Sequence, residues 1–324
     1  MLKKKIIIAG FGNIGKCYLH GILNSKNSYE ILIYDINLKQ TKNYIDNEIN
    51  IYQYKNKLIK LINLKDIVCK KIDLLIVSTT SDVRYQVLNK FTKFYQIKNV
   101  ILEKVLFQKN IEYKKVLALT KEINIFISQG YRSNILIKKI AKDINQKKMI
   151  KITVSGKNWG LACNAIHVFD FYMYLRKVYN ININKTQLSK KFNSKRKNFI
   201  DFFGEIESTH DKDIINIKCD LDKKIKDSYQ VFKIENDNNV YIINTFKNNF
   251  AFYKGKKLIK KEKFKFDYLS VYSTKLIDNI VDEKKVNLPK FRDYCEFSIN
   301  YIELFRKHLI KKHPNSKWIS VPIT

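Results

Sequence analysis

Over the first 130 residues, short apolar runs alternate with stretches of helical period. Ile6-Ile7-Ile8-Ala9, Tyr29-Glu30-Ile31-Leu32-Ile33-Tyr34, Ile72-Asp73-Leu74-Leu75-Ile76-Val77-Ser78, Asn99-Val100-Ile101-Leu102-Glu103 and Ile125-Phe126-Ile127-Ser128 read as strands. Apolar runs with little polar alternation belong to strands buried on both faces, which means a parallel sheet covered by helices on each side. Helices are expected from the end of the 72–78 strand to about Tyr95, and from the end of the 99–103 strand to about Ile123. Between Thr41 and Ile67 the pattern does not place the third strand.

From about residue 150 the pattern changes. Ile152 and Val154, then Ile215, Ile217, Cys219 and Leu221, then Phe232 and Ile234, then Ile242 and Phe246 alternate with polar neighbours, the period of half-buried antiparallel strands. One helix, from about Asn164 to Lys177, interrupts them, and a long one runs from about Phe291 to Lys312. The fold class is therefore α/β, with a doubly wound parallel sheet over residues 1–130. An α+β domain with an open, mostly antiparallel sheet follows over residues 131–324. No Pro- or Gly-rich linker separates the two, so the boundary is expected to be a packed junction.

The first strand stops on Gly10-Phe11-Gly12-Asn13-Ile14-Gly15 and the second ends on Asp35, 20 residues beyond Gly15. A strand feeding G-x-G-x-x-G into a helix presents backbone N–H groups and a helix N-terminus to a pyrophosphate. Gly10 permits the tight turn, Gly12 clears the phosphates and Gly15 lets the helix lie close to the strand. An acid at the position of Asp35 accepts hydrogen bonds from the adenosine ribose hydroxyls. A 2′-phosphate there would meet a like charge, at a cost on the order of a few kcal/mol. The cofactor read from this motif is NAD, in preference to NADP.

At 324 residues and 45% hydrophobic, the chain holds two ordinary cores. No run reaches the length of a membrane span. Met1-Leu2-Lys3-Lys4-Lys5 and the apolar residues after it look superficially like a signal peptide. The run breaks at Gly10 with no small-residue cleavage site, so it is read as the first strand of a cytoplasmic protein. Cys17, Cys69, Cys163, Cys219 and Cys295 form no C-x-x-C pair, which argues against a disulfide framework and against a metal site. Sixty-two Lys and Arg against 30 Asp and Glu give a net charge of +32. Basic clusters occur at 190–197 and 254–261, but lysine is accompanied by abundant Ile and Asn, the composition of an AT-rich genome. Arginine, the usual reader of base edges, is scarce, so nucleic acid is not the expected partner. The positive field instead suits an anionic small molecule.

Three further stretches carry candidate chemistry. Glu103-Lys104 follows the fifth strand, at the end that faces a ligand crevice in doubly wound sheets, or else it is a surface ion pair of a lysine-rich chain. Asn158-Trp159-Gly160-Leu161-Ala162-Cys163-Asn164-Ala165-Ile166-His167-Val168-Phe169-Asp170 is a loop running into a helix on which His167 and Asp170 share a face. His167 suits a hydroxyl proton in transit, or else it is a satisfied core histidine. Arg132, in Gln129-Gly130-Tyr131-Arg132, either clamps an anion or braces the domain boundary.

These features in this order resemble the Gfo/Idh/MocA (glucose-fructose oxidoreductase and inositol dehydrogenase) family. They are the nucleotide loop, E-K after the fifth strand, Y-R after the sixth, Gly160 to Asp170 as G-x-x-x-x-x-x-H-x-x-D, and Leu288-Pro289 before the last helix. The resemblance implies an N-terminal Rossmann domain with Thr79, Thr80, Glu103 and Lys104 beside the cofactor, and Lys104, His167 and Asp170 as catalytic residues. It places Arg132, Trp159, Cys163 and Asn164 on the substrate side, and implies a homodimer or homotetramer assembled through the open sheet. Three departures stand out. Val105 replaces the proline of E-K-P, Cys163 replaces a common aspartate, and Thr79-Thr80-Ser81-Asp82-Val83-Arg84 lacks the proline and histidine of T-P-x-x-x-H. The implied activity is hydride transfer between NAD and a sugar, with His167 accepting the hydroxyl proton and Lys104 holding the oxygen. Trp318-Ile319-Ser320-Val321-Pro322-Ile323-Thr324 is similar to the ends of relatives found with glycan genes, which points to a nucleotide-linked or acidic sugar of surface polysaccharide synthesis. The departures support a different expectation, an NAD-binding regulator or scaffold that has lost turnover.

Overall fold

The structure is a computed structural model that describes residues 3–63, 71–189, 191–194, 196–225, 227–314 and 318–324. The chain forms two compact units, Met1–Gly130 with Asp267–Asp293, and Tyr131–Phe266 with Tyr294–Thr324. The first contains β1 (Lys4–Ala9), α1 (Asn13–Leu23), β2 (Tyr29–Tyr34), α2 (Leu38–Glu48), β3 (Lys57–Leu61), β4 (Lys71–Val77), α3 (Ser81–Phe94), β5 (Gln96–Leu102), α4 (Asn110–Leu119) and β6 (Asn124–Ile127). β3 and α2 fill the region where the pattern alone places no strand. All six strands are parallel, in the order β3-β2-β1-β4-β5-β6. The central strands are unbroken apolar runs because both their faces are covered: Ile6, Ile7, Ile8, Leu74, Leu75, Ile76 and Val77 expose nothing to solvent. The order reverses between β1 and β4, so a crevice opens beyond their carboxyl ends, where such sheets bind ligands.

The second unit contains α5 (Ile135–Asp143), β7 (Ile150–Lys157), α6 (Leu161–Arg176), β8 (Asn182–Leu188), the two-residue β9 (Phe192–Asn193) and β10 (Ile200–Asp201), β11 (Gly204–His210), β12 (Asp213–Asp220), β13 (Tyr229–Asn236), β14 (Asn239–Asn244), β15 (Asn249–Lys254) and β16 (Lys257–Lys263). Eight of these strands form one sheet, in the order β16-β15-β14-β13-β7-β12-β11-β8. It is antiparallel throughout except where β7 pairs with β12. The cross-strand row Ile217, Val154, Phe232, Ile243, Phe250 is buried, while in the next row Ser155 and Lys218 are exposed. Period two in sequence is thus one wet face and one dry face. The reading is corrected at two strand ends. In β14 the buried positions are Tyr241 and Ile243 rather than Ile242, and Phe246 lies exposed in the turn beyond it. Leu221 is exposed just past β12.

After β16 the chain returns to the first unit with α7 (Leu269–Val281), and ends its regular structure with α8 (Phe291–Lys312). Residues 267–293, read from sequence as part of the second domain, therefore belong with the first. α7 packs closely on α1: a Cβ on Gly21 would lie 2.0 Å from Ser273 Oγ. Asp278 of α7 accepts hydrogen bonds from Ser25 Oγ and Tyr29 Oη, both at 2.6 Å. Beyond α7, Ile127 N donates to Pro289 O at 3.0 Å, which ties the 267–293 segment to β6. No described helix is long and apolar enough to cross a membrane. Among the described residues no three His, Cys, Asp or Glu side chains gather to hold a metal. Cys219 and Cys295 are buried thiols, with burial pushing each up to about 11, and Cys17 and Cys163 are half-buried thiols. Cys69 lies outside the described residues.

Candidate functional site

The glycine turn is held by its own backbone and by one carboxylate. Gly10 sits at φ +94°, and a Cβ there would lie 2.7 Å from Thr79 N. A Cβ on Gly15 would lie 2.2 Å from Gly10 O, so both positions are closed to any larger residue. Gly12 is different: a Cβ there would meet nothing within 4 Å. Its lack of a side chain serves no packing need and leaves the space before α1 clear. Gly12 is also the N-cap of α1, makes no side-chain cap bond, and is followed by Asn13 and Ile14 with no acid in the first turn. The leading N–H groups of α1 are thus left for an anion. Asp35 Oδ2 accepts from Phe11 N at 2.5 Å and Oδ1 from Asn37 N at 2.8 Å. Each oxygen keeps a lone pair for a hydroxyl donor. Ser78 Oγ donates to Gly10 O at 2.7 Å, and beside it Thr79 Oγ1 is buried with no hydrogen-bond partner. Thr80 is the N-cap of α3 and makes no side-chain cap bond either. The uncapped N-terminus, the clear space at Gly12, the pinned acid and the orphaned Thr79 hydroxyl fit a dinucleotide.

Lys104 follows β5 in a loop that is otherwise sealed. Among residues 103–108 it alone is not buried. Glu103, 8% exposed, accepts from Tyr18 Oη at 2.6 Å, and that hydroxyl lies 2.9 Å from Ser128 Oγ. Ser128 also bonds Tyr272 of α7. Burial, and then the charge of Glu103, push the Tyr18 phenol well above its usual range, so it stays protonated as a donor. On the other side of Lys104, the guanidinium of Arg84, 1% exposed, donates to the carbonyls of Thr79, Val105 and Leu106, the last at 2.9 Å. The Lys104–Val105 peptide is cis.

In the second unit, Gly160 at φ +69° starts α6, and a Cβ there would lie 2.2 Å from Asp201 Oδ2. The Asp201 carboxylate caps the helix, with Oδ1 accepting from Ala162 N at 2.7 Å and Phe202 N at 2.8 Å. Asn164 Nδ2 donates to the carbonyls of Trp159 and Gly160, fixing the loop before the helix. Trp159 is buried, and its Nε1 has no hydrogen-bond partner. Cys163 Sγ donates to Thr324 O at 2.9 Å. An aspartate at 163 would set a carboxylate against that oxygen, where the thiol donates a hydrogen bond.

His167 is half-buried, its ring centroid 5.4 Å from that of Tyr131. Tyr131 stacks on Phe266 at 4.4 Å and donates to Gln230 Oε1 at 3.0 Å, and burial raises its phenol pKa. One turn along α6, Asp170 is fully buried and receives Arg132 Nε at 2.9 Å on both oxygens, with Arg132 Nη2 2.6 Å from Oδ1. Arg132, itself 6% exposed, and Asp170 are spent on each other. Sequence reasoning missed Asp201, Tyr18, Ser128 and Tyr272, and noticed Arg84 only as a departure.

Taken unit by unit, the molecule is an α/β fold with a six-stranded parallel, Rossmann-like sheet in one unit and an open, mostly antiparallel sheet in the other. Residues 4–131 match the Gfo/Idh/MocA family model, described as an oxidoreductase family with an NAD-binding Rossmann fold. No curated protein matches the chain by sequence. In structure it is similar to a dehydrogenase from Clostridium difficile, with 14% identity, TM-score 0.71, and 95% of this chain and 100% of that one covered. It is also similar to a super-repressor mutant of Gal80p from Saccharomyces cerevisiae (13%, TM-score 0.70, 96% and 97%). A third likeness is to a UDP-N-acetylglucosamine 3-dehydrogenase from Acidithiobacillus ferrooxidans (9%, TM-score 0.68, 94% and 97%). At these identities the likeness is one of fold.

Proposed function

We propose that the protein is an NAD-dependent oxidoreductase acting on the hydroxyl or ketone of an anionic sugar, nucleotide-linked or acidic. The observation that carries this is Asp35, pinned by the Phe11 and Asn37 N–H groups beside an uncapped helix N-terminus that Gly12 leaves clear. NAD, when bound, supplies the hydride acceptor. The chain supplies the rest: the Lys104 ammonium stabilises negative charge on the substrate oxygen, and the His167 imidazole takes the hydroxyl proton. The net charge of +32 supports an anionic substrate.

Calorimetric titration tests the cofactor. NAD should bind more tightly than NADP, and Asp35→Asn should narrow the preference by roughly ten- to a hundredfold, the worth of ~1.5–3 kcal/mol in a hydrogen bond to a charged group. Equal affinities in the wild type would remove the assignment. NADH formation over a panel of nucleotide sugars and acidic sugars, abolished in Lys104→Ala, tests the reaction.

A second reading rests on Cys163, whose thiol is engaged by Thr324 O where an acid would polarise a substrate hydroxyl. It makes the protein an NAD-responsive regulator. Tight NAD binding with no turnover across the panel, and unchanged behaviour in His167→Ala, would favour it.

A further inference from the structure

We propose that Arg84 and Tyr18 are positioning residues that together fix the backbone on both sides of Lys104. The inference rests on the role assigned to Lys104 above. A lysine side chain has four rotatable carbons, so its ammonium is placed only as well as the backbone that carries it. Here that backbone is gripped at adjacent residues. Before Lys104, the Glu103 carboxylate is drawn inward by Tyr18 Oη at 2.6 Å, and Tyr18 is fully buried on α1, the helix that begins at the glycine turn. After Lys104, the Arg84 guanidinium binds the carbonyls of Val105 and Leu106.

The same guanidinium also binds Thr79 O, in the loop after β4 that lies against Gly10. Arg84 therefore ties the lysine loop to the wall of the glycine turn. Tyr18 ties it to the helix that starts there. Val105, Leu106, Phe107 and Gln108 are all buried, so Lys104 is a single half-exposed side chain on a clamped segment.

A guanidinium suits this task because its planar fork reaches several acceptors in a fixed geometry and holds its proton at any working pH. Two departures then belong together. Residue 105 is not proline, so its φ is not locked by a ring, and residue 84 is an arginine whose hydrogen bonds restrain the same peptide from outside.

The test compares Arg84→Met, Tyr18→Phe and Arg84→Met with Val105→Pro, each as the full chain with NAD bound. If the grip positions Lys104, Arg84→Met lowers kcat by roughly ten- to a hundredfold while KM for NAD changes much less, as a misplaced reacting group does. Tyr18→Phe, which removes one hydroxyl, gives a smaller fall of the same kind. Val105→Pro restores part of the kcat lost in Arg84→Met, because the ring replaces the lost restraint on residue 105.

A role in folding alone would lower thermal stability with kcat per folded molecule unchanged, and proline would not restore turnover. Either result overturns the proposal. If Arg84→Met does not fold, Tyr18→Phe carries the same decision. If the wild type turns over no sugar, the proposed function fails. Positioning is then read from the rate at which pyridoxal 5′-phosphate with borohydride labels Lys104, mapped by peptide mass. Altered labelling in the two single variants supports the grip, and rates equal to wild type refute it.

Discussion

The two units differ in what meets their buried positive charge. In the first, Arg84 is sealed against three carbonyl oxygens, and Lys57, 6% exposed, donates to Ser25 O at 2.8 Å and Asn27 O at 2.6 Å. Their closest partners are dipoles. In the second unit, Arg132 meets the Asp170 carboxylate, and Arg176 meets Asp213, which also accepts from Tyr172 Oη at 2.8 Å and Ile150 N at 2.8 Å. Here a carboxylate is the chief partner of each cation, although Arg176 also donates to the carbonyls of Gln146 at 2.6 Å and Lys148 at 2.9 Å. Dipoles satisfy hydrogen-bond geometry without repaying the loss of hydration, so burial pushes the Lys57 amine down to about 8, with Asp278 opposing more weakly. A carboxylate repays it: although burial alone would lower Arg132, Asp170 raises it. Carbonyl-bound cations therefore hold loops in place, and where the cation is an amine, as at Lys57, its charge depends on pH, whereas carboxylate-bound cations hold helices and fail badly when either partner is removed.

The largest expected effect follows from that last point. Arg132→Met leaves Asp170 buried with no counter-charge and should cost ~3–5 kcal/mol of unfolding free energy, measured by urea denaturation. The double change Arg132→Met with Asp170→Leu should recover most of this, since an apolar pair replaces an ionic one. If the double variant is as unstable as the single, the pair is not what the second unit depends on and the contrast fails.

The same pair shows what was readable beforehand. The sequence reads Arg132 as an anion clamp or a brace at the domain boundary, and Asp170 as a member of the catalytic set that orients the helix or the imidazole. Nothing in a sequence says that residues 38 apart spend their charges on each other. The glycine turn and Asp35 were legible because backbone contact with a ligand demands glycine at set spacings, and Lys104 because strand ends face the crevice. The strands of the parallel sheet were legible because burial on both faces leaves unmistakable apolar runs. By contrast, Tyr18 and Glu103 lie 85 residues apart, and Asp201 reaches the start of α6 from 39 residues away. Such partners are set by topology, which no local pattern encodes. The phase of β14 was misread because Ile242 and Ile243 are both apolar, and only pairing with Lys233 and Phe232 decides which faces inward.

A smaller effect is expected at Arg84. Arg84→Met removes hydrogen bonds to the carbonyls of Thr79, Val105 and Leu106. Its cost in stability should be ~1–3 kcal/mol, below that of Arg132→Met in the same denaturation experiment. An equal or larger loss would mean that carbonyl-bound cations are as indispensable as carboxylate-bound ones.

The smallest effect, and the sharpest test of the contrast, is the pH dependence contributed by Lys57. Below about pH 8 its amine is protonated in the folded and the unfolded chain alike, and the full cost of burying the charge is present. Between about 8 and the ordinary value of 10.5 the folded chain has released the proton while the unfolded chain still holds it. At this site the unfolded state then binds more protons, so Lys57 contributes a rise in stability with pH across that window. Lys57→Met should abolish this rise. At pH 7 it should change stability by no more than ~1 kcal/mol, because relief of the burial cost offsets the lost bonds to Ser25 O and Asn27 O. Denaturation of the wild type and Lys57→Met from pH 7 to 10 measures both. Cys219 and Cys295, whose raised thiols act in the opposite sense above about pH 9, are common to both chains, so the reading is the difference between the two curves. A difference that does not change from pH 7 to 10 would show that the carbonyls of the first unit compensate a buried charge as fully as the carboxylates of the second.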